Sequence, residues 1–342
     1  MKLKIDTLGK DPIYKQLING IEEQIRSGKI AVGEMLPSMN ELADDLGISR
    51  ETAKKAYGIL TERGIIEPRQ GKGFYVCDPA DHATPKVLVL FDKLSVYKQL
   101  LYNSFLDTLG KEAEVAILTH NQNVNLLEYY LDQNLDRFDY YVLTPHFPLD
   151  TDTQALVRRQ IARIPNRKLI MLDRLLPDYP GNYGAVYQDF ESDIYGGLSQ
   201  GFSAGQNTDC HLKVITLPES LYGSVIRSGV ERFCMDYHIP VSFYFSAPDD
   251  ISAGDTFLVL NSQLDEGLVG LARKIKAKGL EIGKDVKIIS YNEFSMNELV
   301  LDGLTTVSTD FPQMGRIAAD MILQRHMSKV HCPFRMTRRK TF

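Results

Sequence analysis

The pattern that most restricts the fold of this chain lies in residues 38–76. Ser38 stands three positions before Glu41, which is the capping-box arrangement that begins a helix. Gly47 then permits a sharp turn, and Ser49 is a suitable cap for the helix that follows. Two short helices joined through a glycine turn predict a helix-turn-helix.

The second helix of this pair, predicted over 50–63 with Gly64 as its stop signal, has two different faces. Its apolar residues repeat at helical spacing: Ala53, Ala56, Tyr57 and Leu60. After this helix, the segments IIE and FYV enclose the turn PRQGKG, which predicts a β-hairpin wing. The helix is sized for a DNA major groove, and the wing would reach the adjacent backbone or minor groove.

Charge is distributed unevenly along the chain. The net charge of −5 argues against indiscriminate binding to nucleic acid, but residues 50–72 contain six basic and three acidic side chains. Residues 1–78 as a whole contain twelve of each. A solvated helix face is the alternative interpretation of Arg50, Lys54 and Lys55. The order of cap, turn, basic helix and basic wing favours DNA binding.

Another helix is predicted upstream of this pair. Asp11 is suited to cap it, and Pro12 suits its first position. Apolar residues then recur at helical spacing from Ile13 to Ile25, and Ser27 with Gly28 ends the run. The basic helix at 50–63 is therefore the third helix of the chain.

The segments LPS, LGISR and GKGF-V, with the alanine and tyrosine of the third helix, resemble the winged helix-turn-helix of the GntR family of bacterial regulators. The resemblance covers nearly the whole of that domain and implies contact with double-stranded DNA. Asn40 and Glu51 depart from the family pattern, so no relative's operator is carried over. We expect these residues to contact DNA: Ser38, Asn40, Ser49, Arg50, Glu51, Thr52, Lys54, Lys55, Arg69, Gln70, Gly71 and Lys72.

The chain is long enough for two domains, and its texture changes at CDPADHAT, residues 77–84. We predict a winged helix-turn-helix over 1–77, a linker over 78–85 and a larger domain over 86–342. The larger domain alternates short apolar strands with amphipathic segments, which indicates an α/β fold with a mostly parallel sheet. Its length favours two lobes. The strands are expected at KVLVLF, EVAIL, YYVLT, KLIML, AVYQ, LKVITL, TFLVL and VKIIS, with early helices at 97–109 and 126–135.

Ligands of such sheets bind outside the carboxyl ends of the strands, so the residues that follow each strand are informative. Carboxylate, basic and aromatic side chains gather at these positions, and this combination suits the hydroxyls and the C–H face of a sugar. The candidates are Asp92, Lys93, Thr144, His146, Phe147, Asp173, Arg174, Asp189 and Asn292.

Residues 86–342 also resemble the effector domain of LacI-type regulators, which is similar to periplasmic sugar-binding proteins. The matching segments are IRSGVERF (226–233), 264–293 and 304–322. The resemblance implies that Arg227, Asp265 and Phe311 contact the effector, and that Asp189 or Asp193 supplies an acidic group after the crossing between lobes. Leu264 and the pair Asn292-Glu293 depart from the family pattern, which bears on the identity of the effector.

Alternatives remain for several of these residues. Asp173 and Arg174 could form a simple strand-end ion pair, and Arg227 could pair with a carboxylate of its own lobe. His146 could be an ordinary loop histidine. The basic segment RMTRRKTF could be a nucleic-acid tail, but we interpret it as the last strand. The Cys and His residues around positions 210, 234 and 331 lack the spacing of a structural zinc site, so no metal or cofactor is expected.

The combined features predict a ligand-responsive transcription regulator: a homodimer on a palindromic operator, with a sugar as effector. An enzyme with a GntR-type head and an aminotransferase-like body is the alternative; the chain is short for it, and no Schiff-base lysine motif is evident. A transport-type binding protein is disfavoured by the DNA-binding head. Four scattered cysteines, no secretory signal and no long apolar run predict a cytoplasmic protein without a membrane span.

Overall fold

A computed structural model describes residues 3, 5–6, 11–69, 72–77, 84–202, 210–216, 220–260 and 265–342, without the side chains of Arg26, Glu62, Asp265 and Glu266. The expected wing-tip residues Gln70 and Gly71 lie outside this part of the chain. Most of the expected linker lies outside it as well.

Residues 11–77, the head, form a small helical unit with a three-stranded antiparallel sheet of order β1-β3-β2. Its elements are α1 (Ile13–Arg26), β1 (Met35–Leu36), α2 (Met39–Leu46), α3 (Arg50–Glu62), β2 (Ile66–Arg69) and β3 (Gly73–Val76). The predicted third helix and the hairpin wing are both present. Strand β1 was not predicted, because two residues are too short to show a period.

The helix starts of the head follow local chemistry. Ser38 and Glu41 complete the predicted capping box, and Gly47 ends α2 with a left-handed φ of 63°. Ser49 accepts a hydrogen bond from the amide of Thr52 and so caps α3. The expected cap of α1 was wrong: Pro12, not Asp11, occupies the N-cap position, with no side-chain cap. Pro12 itself has an extended ψ of 137°, so the helix begins only at Ile13 and Asp11 lies one residue before the cap.

The core of the head is the apolar stripe that the sequence shows. Leu17 and Ile21 of α1 meet Ala53, Tyr57 and Leu60 of α3, all fully buried. The Tyr57 hydroxyl donates to the carbonyl of Pro37 at 2.7 Å. Each such burial is worth about 1.5–3 kcal/mol for a Leu or Ile side chain, and together the contacts fix the orientation of α3.

The N-terminal lobe is built on a six-stranded, all-parallel sheet of order β14-β8-β7-β6-β4-β5. Helices α4 and α10 cover one face, and α5 and α6 cover the other. The elements are β4 (Lys86–Phe91), α4 (Val96–Leu109), β5 (Glu114–Thr119), α5 (Val124–Asn134), β6 (Tyr140–Leu143), α6 (Thr151–Ile161), β7 (Leu169–Asp173), β8 (Gly184–Tyr187), α10 (Phe311–Leu323) and β14 (Lys329–His331).

The C-terminal lobe has a second six-stranded sheet of order β10-β9-β11-β12-β13-β15, in which β15 alone is antiparallel to its neighbour. Helices α7 and α8 pack on one face, and α9 packs on the other. The elements are α7 (Phe190–Ser199), β9 (His211–Ile215), α8 (Gly223–Tyr237), β10 (Val241–Tyr244), β11 (Asp255–Val259), a π-helical turn (Asp265–Val269), α9 (Gly270–Ala277), β12 (Lys287–Tyr291), β13 (Thr305–Thr309) and β15 (Phe334–Thr337).

The chain crosses between the lobes three times, at 187–190, 309–311 and 331–334. The predicted α/β fold, mostly parallel sheet and two-lobed body are confirmed. The last strand is Phe334–Thr337 rather than 335–342, because Thr341 leaves the sheet edge and bonds to the backbone of Ile288. Within the described residues, no helix is both long and apolar enough to cross a bilayer.

Candidate nucleic-acid interface and effector cleft

Helix α3 presents its polar side to solvent because its apolar stripe is buried in the head. Arg50, Glu51, Lys54 and Lys55 are exposed, and Thr52 is half-buried beside the cap. Ser38, Asn40 and Ser49 are exposed at the starts of α2 and α3. The expected DNA-contacting residues of both helices therefore lie on an accessible surface.

Not every basic residue of this surface is equally available. Lys54 lies 3.7 Å from Glu51, and Lys55 lies over the Tyr14 ring at 3.9 Å. Both contacts are exposed and weak, so phosphate can compete with them. No carboxylate of the described residues lies within ion-pair distance of Arg50. Arg50 is thus the best placed cation on α3.

The wing is an antiparallel hairpin in which Arg69 of β2 faces Gly73 of β3. Arg69 pairs with Glu67 at 2.8 Å and stacks on the Tyr75 ring at 4.4 Å. Lys72 is exposed next to the hairpin tip. The described part of the wing places two cations beside its tip.

A cavity of about 340 Å³ lies between the two lobes, at the carboxyl ends of their strands. Six of the expected effector-binding residues line it: Asp92, Lys93, His146, Asp173, Asn292 and Phe311. The structure adds lining residues that the sequence did not single out: Tyr97, Lys98, Gln122, Gln188, Phe190, Thr216, Ser220, Leu221, Tyr222, Ile226, Leu260 and Tyr291. The strand-end rule located the cleft but not its full lining.

The other expected residues have different positions. Thr144 lies behind the lining, where its hydroxyl donates to Asp92 at 3.0 Å. Phe147 is buried and stacks on His120 with ring centroids 4.4 Å apart. Asp189 caps α7 by accepting from the amide of Ser192. These residues support the cleft from outside.

Arg227 lines a neighbouring cavity of about 310 Å³, not the cleft itself. Its side chain is 55% exposed, pairs with Glu231 at 2.7 Å and lies over the Phe243 ring at 4.1 Å. The alternative in which it pairs within its own lobe therefore describes this structure. Asp265 opens a π-helical turn after β11, but its side chain lies outside the described atoms.

A buried ion cluster forms the floor of the cleft. Lys98 donates to Asp92 and lies 3.7 Å from Asp173, and all three residues are no more than 3% exposed. Asp173 also accepts from His146 Nε2 at 2.8 Å and from Gln188. The ion pairs of Asp173 are with Lys98 and His146 rather than with its neighbour Arg174.

The pKa values of the two carboxyls show which effect dominates. Burial raises the pKa of Asp92, but the charges of Lys98 and His146 outweigh it, and the net pKa is lowered. Burial likewise raises the pKa of Asp173, and His146 with Lys98 again reverses the direction. Both groups are therefore carboxylates at neutral pH, held by buried partners.

Tyr222, at the start of α8, connects the lobes across the cleft. Its hydroxyl and His146 Nδ1 are 2.6 Å apart, and its ring stacks on Phe190 at 4.3 Å. The Arg174 guanidinium lies over the same ring at 5.4 Å. Because the carboxylate of Asp173 can only accept, His146 Nε2 carries a proton and donates to it.

A second inter-lobe contact lies near the crossings. His331 of β14 is 2.8 Å from the buried carboxyl of Asp193 on α7. Burial raises the pKa of Asp193 to about 6, although His331 opposes the shift. Asp193, the alternative acidic residue of the sequence prediction, thus joins the lobes rather than lining the cleft.

Two polar atoms at the end of β12 have no hydrogen-bond partner in the part of the chain that the structure describes. The Tyr291 hydroxyl and Asn292 Oδ1 are buried without a hydrogen bond in the described structure, and both residues line the cleft. Asn292 also has a left-handed φ of 72°. An unsatisfied buried polar group costs about 1–3 kcal/mol, so these atoms favour a ligand with hydroxyl groups.

Three of the cleft-lining residues that the sequence analysis did not predict could have been found from their positions in the sequence. Tyr97 and Lys98 lie in the first turn of the helix after β4, and Tyr291 is the last residue of β12. All three belong to the strand-end region, one step further than the residues considered. No group of three His, Cys, Asp or Glu in the described chain is placed to hold a metal ion.

Two family profiles match the chain. The profile of bacterial regulatory proteins of the gntR family matches residues 13–76, and the periplasmic binding protein-like domain matches residues 248–340. These ranges contain α3 with its wing and the second half of the C-terminal lobe.

Known regulators are similar to part of this chain. The HTH-type transcriptional repressor YtrA of Bacillus subtilis (strain 168) is 32% identical over 105 residues, which are 31% of this chain and 77% of YtrA. The mannosyl-D-glycerate transport/metabolism system repressor MngR of Escherichia coli (strain K12) is 39% identical over 69 residues, or 20% of this chain and 29% of MngR.

Solved structures are similar in fold over about three quarters of this chain. The Lac repressor dimer bound to operator and the anti-inducer ONPF has a TM-score of 0.59 at 18% identity, covering 77% of this chain and 95% of that one. The trehalose repressor from Escherichia coli has a TM-score of 0.57 at 14% identity, covering 75% and 100%. At these identities the similarity establishes the fold alone.

A winged helix-turn-helix joined to a two-lobed, periplasmic-binding-protein-like body defines a transcriptional regulator. The chain belongs to the gntR family of bacterial regulatory proteins. The similar proteins are regulators, which confirms the expectation that this chain is not an enzyme and sets aside the aminotransferase-like alternative.

Proposed function

We propose that this protein is a cytoplasmic repressor whose affinity for its operator changes when a monosaccharide or related hydroxylated effector binds between the lobes. Residues 1–77 are the DNA-binding unit, 78–85 the linker and 86–342 the effector-binding and dimerisation domain in this proposal. The observation that carries it is the inter-lobe cleft, in which atoms of Tyr291 and Asn292 without a partner among the described residues lie beside a buried ion cluster.

The chemistry of the cleft supports a sugar. Phe311 stacks on Tyr97 at 4.9 Å and Phe190 stacks on Tyr222, so aromatic faces are available for the C–H face of a ring. The carboxylates and amides of the lining can bond to hydroxyl groups. A cavity of about 340 Å³ is within the range of small-ligand sites.

The DNA half rests on α3. Its exposed polar side carries Arg50 at the first position, and DNA-reading helices of this type contact base edges with their N-terminal residues. A homodimer would present two such helices to half-sites about one helical turn apart, or a multiple of that distance, on a palindromic operator. A Lac repressor dimer bound to operator, whose fold is similar to that of this chain, supports this arrangement.

Closure of the lobes is the proposed switch. Tyr222 bonds to His146 across the cleft, and Gln188 at the first crossing bonds to Thr309 at the second at 2.7 Å. An effector that bonds to both lobes changes their relative position, which alters the placement of the heads. Coupling of this kind shifts operator affinity by about 1–3 kcal/mol.

The test of the proposal is a titration of operator binding with a panel of monosaccharides and their phosphates, after a thermal-shift screen of the same panel. We expect at least one sugar to raise the melting temperature and to change operator affinity by about 5- to 150-fold. If no sugar alters either quantity, the effector half of the proposal is wrong. If the protein prefers no sequence upstream of its own operon or of neighbouring operons over random DNA, the proposed operator binding is wrong.

Replacement of Arg50 by alanine should cost about 1–3 kcal/mol of specific DNA binding and relax base preference, since a bidentate arginine contact to a base is lost. Electrophoretic or fluorescence titrations on operator and random duplexes measure both effects. Lys29→Ala is the control, because Lys29 is an exposed cation of the head outside α3 and the wing. Unchanged operator selectivity in the Arg50→Ala protein would contradict the prediction that α3 binds in the major groove.

Replacement of Tyr291 by phenylalanine should leave the protein as stable as before or slightly more stable, because it deletes a buried hydroxyl that has no partner among the described residues. Effector affinity should fall about five- to tenfold, the cost of one lost hydrogen bond near 1–1.4 kcal/mol. Calorimetric titration and thermal melts measure the two quantities.

The control for this substitution is Tyr141→Phe. In the wild type the Tyr141 hydroxyl donates to the carbonyl of Asn134 at 2.8 Å, away from the cleft. The control variant should lose about 0.5–1.5 kcal/mol of stability and keep its effector affinity. Equal effector affinity in wild type and Tyr291→Phe would show that this hydroxyl does not meet the effector.

A further inference from the structure

Helix α10 runs from the cleft to the head. Its first residue, Phe311, is buried in the cleft wall against Tyr97. Its 13 residues span about 20 Å at 1.5 Å per residue. Both ends of this helix therefore touch regions that the proposed function must connect.

The helix is held firmly to the N-terminal lobe. A Cβ atom at Gly315 would lie 2.2 Å from the carbonyl oxygen of Leu101, so α10 and α4 are in backbone contact there. Ser104 of α4 also donates to the carbonyl of Pro312 at 2.8 Å. Because the two helices pack this closely, α10 moves with the N-terminal lobe as one body.

The far end of α10 meets the head. Arg325, two residues beyond the helix and with a left-handed φ of 48°, donates from Nη1 to the carbonyl oxygen of Arg63 at 2.9 Å. Arg63 directly follows α3, and its own guanidinium pairs with Glu22 of α1 at 2.7 Å. The acceptor thus belongs to a residue already tied to the first helix of the head.

The topology agrees with this contact. Helix α10 runs opposite to the parallel strands, so its end lies where those strands begin. Lys86 begins β4 just after the linker, and its backbone amide donates to the carboxylate of Asp139. Asp139 directly precedes Tyr140, the first residue of β6. Burial raises the pKa of Tyr140, and the nearby charge of Arg325 partly opposes the shift. The linker and Arg325 are therefore at the same end of the lobe.

We infer that Arg325 docks the end of α3 on the N-terminal lobe, and that α10 transmits lobe movement from the effector cleft to the DNA-binding head. This inference rests on the proposed function. A head joined to the body by chain alone would not follow a rotation of the lobe. A head bonded to Arg325 turns with it, and because the bond lies at the end of α3, the turn changes how that helix is presented to DNA.

The first arm of the test needs neither effector nor DNA. Hydrogen–deuterium exchange is compared in full-length wild type, Arg325→Ala and Arg316→Ala. Arg316 is an exposed arginine of the same helix, so its replacement removes the same charge without the contact. Exchange in a peptide covering residues 60–68 should be about two- to tenfold faster in Arg325→Ala and unchanged in Arg316→Ala. Equal rates in all three proteins would overturn the docking contact.

The second arm measures operator affinity with and without the sugar that raises the wild-type melting temperature. In Arg325→Ala, the sugar should bind within twofold of wild type but change operator affinity by less than twofold. A full wild-type response in Arg325→Ala would overturn the transmission route. A wild-type protein that ignores every sugar would refute the proposed function instead, and the exchange arm would still decide the contact.

Discussion

Replacement of Lys98 by methionine is expected to lower the free energy of unfolding by about 3–5 kcal/mol. Lys98 is 2% exposed and supplies the positive charge between Asp92 and Asp173, which are equally buried. Methionine fills a similar volume but leaves two carboxylates facing each other in a poorly solvated site. Chemical denaturation at pH 7, followed by circular dichroism, measures the loss.

The same substitution should change how stability depends on pH. In the wild type both carboxyls have pKa values below the ordinary value of 3.8. Their contribution to the free energy of unfolding is therefore present above pH 3.8 and is lost as the pH falls through the lowered pKa values. Without Lys98 the pKa values rise, and protonation relieves the repulsion. The difference in stability between wild type and Lys98→Met should therefore be largest near pH 7 and shrink toward about pH 4.

Lys93→Met is the matched control, since Lys93 is an exposed lysine at the same edge of the cleft. Its replacement should change the free energy of unfolding by no more than about 0.5 kcal/mol. If Lys98→Met were as stable as Lys93→Met at pH 7, Lys98 would not be neutralising two buried carboxylates. That result would contradict the ion cluster described above.

Replacement of Gly315 by alanine should lower the free energy of unfolding by about 2–3 kcal/mol, because the added methyl group has no room. Its carbon would lie 2.2 Å from the Leu101 carbonyl oxygen and 2.9 Å from the Phe105 amide nitrogen, both backbone atoms of α4. The helices must separate, which costs more than the roughly 0.8–1 kcal/mol that alanine gains over glycine in a helix. Thermal and chemical denaturation give the value.

Gly196→Ala tests the sign of this argument. Gly196 is also inside a helix, α7, but no atom of the described residues lies within 4 Å of the position that its Cβ would take. Here only the higher helix propensity of alanine acts, and the free energy of unfolding should rise by about 0.5–1 kcal/mol. Equal gains at both positions would mean that α4 and α10 are not in backbone contact.

The sequence predicted those elements whose signals are local. The Ser38 capping box, the Gly47 turn and the apolar stripe of α3 depend on residues a few positions apart, and each is present. Asp11 is not the cap because Pro12 itself has extended backbone, with a ψ of 137°, and the helix begins one residue later than the sequence suggested. Short edge strands such as β14 gave no periodic signal at all.

The cleft shows where sequence reasoning stops. Asp92 and Asp173 were predicted because each follows a strand, but their common partner Lys98 depends on the approach of α4 to two strand ends. Tyr222 depends on the position of one lobe against the other, which no local pattern encodes. Arg227 was chosen by its motif, and its contact with an effector stays a prediction, since the structure places it beside a neighbouring cavity.

The three crossings also set the order in which this protein can fold as it is synthesised. Residues 11–77 contain every described element of the head, so the head can become compact early on the ribosome. The N-terminal lobe must wait for α10 and β14, which come more than a hundred residues after β8, and the C-terminal lobe must wait for β15. Nascent chains will therefore carry a finished DNA-binding unit before the apolar faces of α4 and β8 are covered, an interval in which protection by chaperones matters most.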